Sequence, residues 1–116
     1  MHELSIAINI VKIASTQAMA ASAKSVSRVD LDIGAMSGIE LDSLNRALSI
    51  AVRDTLLEGT EFSINRIEPL CQCLSCNHLF TPEKVFGHCP ECESPETELI
   101  KGKELQIKSL LVEQNE

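Results

Sequence analysis

"CLSCNHLFTPEKVFGHCPEC", residues 73–92, holds two C-x-x-C pairs, Cys73 with Cys76 and Cys89 with Cys92, separated by twelve residues. Each C-x-x-C turn aims two thiolates at one point. Two such turns supply the four soft donors that Zn²⁺ takes in a closed tetrahedral site. The surrounding stretch 70–99 contains all five cysteines, three of the four prolines and two of the three histidines. Its large apolar side chains are too few for an independent core. Zinc in such modules typically supplies about 10–16 kcal/mol of apparent binding energy near neutral pH. Residues 70–99 are therefore expected to form a zinc-ribbon-like module, with Cys73, Cys76, Cys89 and Cys92 as ligands.

A thiol redox enzyme using Cys89 and Cys92 is the local rival, since "CPEC" resembles a disulfide-exchange motif. That motif opens a helix after a strand, where the helix terminus lowers a thiol pKa. Two mutually spaced pairs with flanking prolines fit a metal knuckle better. The residue after each second cysteine commonly turns left-handed, and here it is Asn77 or Glu93. Asn tolerates that conformation, whereas Glu costs more. Cys71 reads as a spare thiol, with register exchange with Cys73 as the alternative. His78 and His88 flank the ligands and read as neighbouring or exposed groups, with ligand exchange as the alternative.

Outward from this segment, both flanks read as strands. "TEFSINRIE" (60–68) sets Phe62 and Ile64 on one face and slips in phase at Arg66 and Ile67, which predicts a bulge or an edge position. "KGKELQIKSLLVE" (101–113) returns to strand character through Leu105, Ile107, Leu110 and Val112. Further out, "SRVDLDIG" (27–34) alternates Val29, Leu31 and Ile33 with Arg28, Asp30 and Asp32, a half-buried strand. A helix is predicted from Leu41 to Leu57, capped by Ser37 or Asp42 and closed by Gly59. Another is predicted from Leu4 to about Ala21. Its polar stripe is Ser5, Asn9, Lys12 and Thr16, with Leu4, Ala7, Ile8, Val11, Ala14 and Ala18 on other faces. The fold class is α+β: a three-stranded sheet with two helices on one side, and the cysteine module inserted before the last strand. Residues 1–69 together with 100–116 would form one domain and residues 70–99 the other.

Composition narrows the function. The 116 residues carry 17 acidic against 10 basic side chains, a net charge of −7. The module from Leu70 to Ile100 alone has one lysine against five glutamates. Four thiolates around Zn²⁺ add about two more negative charges. Such a surface repels phosphate backbones, so no nucleic-acid role is expected. No secretory signal and no membrane span is read, and the chain is expected to be cytoplasmic. In that reducing compartment cysteines point to metal before disulfide.

The outward reading ends at "MHELS" (1–5). A free α-amino group, the amide nitrogen of residue 2 and the His2 imidazole can wrap one Ni²⁺ in short chelate rings. The Glu3 carboxylate, or another acid nearby, can complete the set. On local chemistry alone an exposed, uninvolved His2 is the commoner case.

"MHELSIA" at the start, "LDIGAMSGIELDSL" (31–44), "CLSC…CPEC" and "KGKELQIKSLLVE", in this order along essentially the whole chain, together resemble the HypA/HybF family of hydrogenase nickel-incorporation proteins. The resemblance implies a nickel metallochaperone and not an enzyme. Nickel would be held by Met1 through its amine, His2 and Glu3. An acidic residue just before the second helix often lies near that site in the family, and Glu40 occupies this position here. The zinc would be structural, and the implied partners are the GTPase HypB and the [NiFe]-hydrogenase large-subunit precursor. Glu93 replaces a glycine common in the family, and Cys71 is not general to it. The final strand and short linkers permit a homodimer without requiring one. The alternative function is a zinc-stabilised protein-interaction adaptor that moves no metal.

Overall fold

Helix α1, Glu3–Ala20, is apolar on most of its circumference and buries Ala7, Ile10, Val11, Ala14 and Ala18. The computed structural model describes residues 3–82 and 87–114. The polar stripe of α1 is exposed as expected, yet Leu4 and Ile8 are also 50% and 51% exposed. At about 100° per residue these two fall between the buried arc and the polar stripe. Ser22, at φ 57°, turns the chain out of the helix.

Strand β1, Ala23–Gly34, begins four residues earlier than its alternation suggests. Val29, Leu31 and Ile33 are buried, while Arg28, Asp30 and Asp32 are half-buried. Helix α2, Leu41–Ala51, packs against α1 and buries Leu44, Ala47 and Leu48. It ends six residues before the expected Leu57. Asp54 adopts φ 61°, and its amide donates to the Glu58 carboxylate at 3.0 Å. The Thr55 hydroxyl donates to the Val52 carbonyl at 2.6 Å, an alternative to the helical ladder that short hydroxyl side chains favour. Leu57 remains fully buried in the following turns. The cap of α2 is neither Ser37 nor Asp42: the extended Glu40 accepts from the Ser43 amide at 2.6 Å.

Strand β2 spans Glu61–Ile67. Within the intervening cysteine-rich segment lie β3, Leu70–Cys73, β4, Leu79–Phe80, and β5, Thr97–Lys101, before β6, Leu105–Gln114. The first sheet has the order β2-β1-β6, so β2 is the edge strand that its phase slip suggested. The last strand returns to the first sheet, and the cysteine-rich segment is an insertion. The Ser109 hydroxyl donates to Asp30 Oδ2 at 2.8 Å, and the Ser27 hydroxyl to the Leu111 carbonyl at 3.0 Å. The fold is α+β. A second, antiparallel sheet of order β4-β3-β5 was not legible in the sequence, because strands of two to five residues leave little alternation to read.

The chain packs as two compact units. One comprises the chain up to Leu31, Ile39–Asn65 and the chain from Gln106; the other comprises Asp32–Gly38 and Arg66–Leu105. In the first, Leu31, Leu44, Leu48, Leu57 and Val29 are fully buried. In the second, three chain passages cross at two glycines. The amides of Gly34, Ala35 and Met36 donate to the carbonyls of Glu104, Ile67 and Gly102 at 2.8, 2.8 and 2.7 Å. A Cβ on Gly34 would lie 2.1 Å from Gly102 main-chain atoms. Gly102 adopts φ 123°, and a Cβ there would meet Pro69 Cα at 2.8 Å. No helix among the described residues is long and apolar enough to cross a membrane.

Candidate metal centre

Two similar turns build the cysteine site. In the first, the Asn77 amide donates to the Cys73 carbonyl at 2.9 Å and the Cys73 amide to the His78 carbonyl at 2.9 Å. In the second, the Glu93 amide donates to the Cys89 carbonyl at 2.8 Å and the Cys89 amide to the Ser94 carbonyl at 3.0 Å. Both turns close through a left-handed residue, Asn77 at φ 63° and Glu93 at φ 61°. The left-handed geometry expected after each second cysteine is therefore present, and Glu93 adopts it despite its Cβ. The hydroxyls of Ser75 and Ser94 bridge the two turns at 3.0 Å.

These turns bring the ligand atoms of Cys73, Cys76, Cys89 and Cys92 within 4.8 Å of one another. The Cys73–Cys92 sulfur pair is 3.4 Å apart and the Cys76–Cys89 pair 3.7 Å. Tetrahedral zinc with Zn–S bonds of about 2.3 Å separates its sulfurs by about 3.8 Å, so this donor set fits the ion. Cys73 and Cys89 are buried, and Cys76 and Cys92 are exposed.

Main-chain amides stabilise negative charge on the sulfurs. Cys73 Sγ accepts from the amides of Cys76 and Ser75, both at 3.4 Å, and Cys89 Sγ from the Glu91 amide at 3.4 Å. The Cys76 amide, opposed by burial and aided by Ser75, lowers the Cys73 thiol to about 6. At Cys92 the Ser94 amide favours the thiolate, but the bond with Cys73, burial, Cys76 and Cys89 outweigh it and push the group up to about 12. One thiolate forms readily and the last resists, because like charges crowd one point. A divalent cation relieves that crowding, which gives the arrangement its affinity for metal.

The remaining sequence candidates lie outside this group. Cys71 is buried on β3, aligned with Phe80 and Leu99, and burial pushes its thiol up. His78 stacks on Phe80 with ring centroids 6.2 Å apart, and its Nε2 lies 4.0 Å from Glu91 Oε1. Neither His78 nor His88 joins the four sulfurs. The amides of Ser75, Cys76 and Glu91 and the Ser75–Ser94 bridge were missed in the sequence. The repeated C-x-x-C spacing was the available signal for the amides.

Met1 and His2 lie outside the described residues. Glu3 is in the first turn of α1 and only 7% exposed. Its Oε2 accepts from the Glu40 amide at 3.3 Å. The two acidic candidates are thus neighbours, though 37 residues apart in sequence. The Glu40 carboxylate is engaged with Ser43, whose side chain and amide hold it below the usual carboxylate range.

The chain has extensive likeness to known proteins. The family described as "Hydrogenase/urease nickel incorporation, metallochaperone, hypA" matches residues 1–112. The hydrogenase maturation factor HypA of Crocosphaera subtropica is 42% identical over 114 residues, covering 98% of this chain and 97% of the relative. HypA of Chlorobium phaeobacteroides is 36% identical over 113 residues, covering 97% and 100%. In fold, the chain is similar to the solution structure of the Ni metallochaperone HypA from Helicobacter pylori. That likeness has a TM-score of 0.74 at 23% identity, covering 99% of this chain and 100% of that one. The matched span takes in both cysteine pairs and both acidic neighbours, and on this ground the chain belongs to the HypA family of nickel metallochaperones for hydrogenase maturation.

Proposed function

We propose that the protein carries Ni²⁺ to the [NiFe]-hydrogenase large-subunit precursor in the cytoplasm, acting with the GTPase HypB. Nickel is the cargo. Its donors are the Met1 amine, the His2 imidazole and the Glu3 carboxylate, with Glu40 beside them. Residues 1–69 with 100–116 serve the cargo, and residues 70–99 hold a structural zinc on Cys73, Cys76, Cys89 and Cys92.

The observation that carries this reading is the meeting of Glu3 with Glu40 at the start of α1, in a chain of the HypA family. Glu3 presents a carboxylate from a helix whose buried face anchors it, so a donor set at this end begins from a fixed point. Nitrogen donors and imidazole suit Ni²⁺, whereas four thiolates suit zinc, so the two ions sort by donor type. A closed four-thiolate site resists giving up its ion, so the cargo is assigned to the donor set at the start of α1 and not to the cysteines.

The test compares nickel binding by protein starting at Met1 with protein carrying a short N-terminal extension. The extension is expected to abolish tight nickel binding and leave zinc content unchanged. Equal nickel affinity in both forms would defeat the Met1-amine site. A His2→Ala protein that still binds HypB and matures hydrogenase at the native rate would favour the adaptor reading.

A further inference from the structure

A residue that caps a helix start gives its carbonyl to the first helical turn, and here the Leu44 amide donates to the Glu40 carbonyl at 3.0 Å. The cap's own amide lies outside that ladder. In a capping box it is satisfied by a Glu or Gln three residues on, which reaches back along the helix. Three residues on from Glu40 stands Ser43. Its side chain instead bonds the Glu40 carboxylate, which also accepts from the Ser43 amide at 2.6 Å. The returning arm of the box is thus missing from α2, and α1 supplies it: Glu3 Oε2 accepts from the Glu40 amide at 3.3 Å.

The two carboxylates are committed differently. Glu3 is buried, and one of its oxygens is fixed by that amide. Carboxylates that bind metals are themselves held by hydrogen bonds, and fixing Oε2 leaves Oε1 as the oxygen for an ion. Glu40 is exposed, and its carboxylate is turned onto the start of α2. Ser43 favours its charged form, the Asp42 amide and the Arg46 guanidinium add to this, and desolvation opposes it. An ion that drew this carboxylate away would uncap the helix. The buried faces of α1 and α2 pack together, so the amide and the carboxylate it orients meet at fixed positions.

We propose that Glu40 is a positioning residue of the nickel site and not one of its donors: its carboxylate caps α2, and the capped turn holds the amide that orients the Glu3 carboxylate for the ion. The inference rests on Glu3 being a nickel donor at the start of α1.

The test uses the full, zinc-loaded chain with its native start and compares Glu40→Ser with Glu40→Ala by calorimetric titration with Ni²⁺. Both substitutions remove the same charge and the same carboxylate oxygens. They differ in the cap, because serine accepts from the amides of the first turn and alanine does not. Glu40→Ser is expected to stay close to native affinity, and Glu40→Ala to bind nickel about tenfold more weakly. Titration well below each melting midpoint, with zinc content measured in parallel, separates this from loss of folded protein. A purely structural cap would lower the midpoint of Glu40→Ala and leave the two nickel affinities equal. Equal affinities overturn the inference: both weak would make the carboxylate a donor, and both native would leave the cap without a role at the site. Should Glu40→Ala not fold, Glu40→Ser against native protein decides, near-native affinity supporting the inference and a tenfold loss overturning it. Native protein that binds no nickel overturns the cargo reading itself.

Discussion

The carboxylate of Glu3, buried in the first turn of α1, accepts a hydrogen bond from the main-chain amide of Glu40, the residue that caps α2. The two helices are therefore joined at their starts by one polar contact as well as by apolar packing. Glu3→Gln keeps an oxygen able to accept from that amide but removes the charge. Its thermal midpoint is expected to stay close to native, with nickel affinity falling by about tenfold or more because an anionic donor is lost. Calorimetric titration with Ni²⁺ beside a melting curve checks this. An unchanged affinity would remove Glu3 from the donor set.

Gly34→Ala should be among the most damaging single substitutions in the chain. The added Cβ would lie 2.1 Å from main-chain atoms of Gly102, where no flexible side-chain end can yield. The expected cost is about 3 kcal/mol or more, at the upper end of overpacking effects. Denaturant unfolding measures it. A loss comparable to that of an exposed loop substitution would contradict the crossing described for Gly34, Gly102 and Pro69.

Glu93→Gly should stabilise the metal-loaded module. Glu93 closes the second cysteine turn at φ 61°, a conformation that costs L-residues about 1–2 kcal/mol and glycine much less. Part of that gain is lost to the greater freedom of glycine in the unfolded chain, leaving about 1 kcal/mol. Slower zinc transfer to a chelator and a later unfolding transition are the expected readouts. The same substitution at Asn77 should give a smaller gain, because Asn visits this region more readily.

Asp30 sets a pH dependence. The Ser109 hydroxyl, then Arg28, holds its carboxyl below its ordinary value of 3.8. A depressed carboxylate contributes stability that is complete above 3.8 and is lost as pH falls through the lower folded-state value. Native protein should therefore exceed Asp30→Asn in stability at about pH 6, with the gap closing on acidification. Parallel unfolding curves for the two proteins across this range provide the check. A gap that widens in acid would reverse the assigned sign.

What was legible in the sequence followed from strong local constraints. The two C-x-x-C pairs identified all four members of the thiol group, because four convergent sulfurs have few other uses. Val29, Leu31 and Ile33 disclosed β1 because one face is buried and the other is not. The end of α2 was not legible. The helical pattern continues to Leu57, and Leu57 is indeed buried, but turns set by Asp54 and Thr55 deliver it. Glu40 was singled out only through family resemblance, and its capping role was missed because Ser37 and Asp42 are the more usual helix starters. The contact between Glu3 and Glu40 depends on tertiary packing, which no local pattern encodes.

The β2-β1-β6 order has a consequence for how the protein folds. The first sheet's third strand, β6, is joined to β2 only through the whole cysteine-rich segment, so that segment is the loop which must close for the sheet to be complete. The entropy of closing a loop grows with its flexible length. Ordering the four-thiol segment shortens the flexible part of that loop, and loss of its order would lower the stability of the first sheet as well as its own.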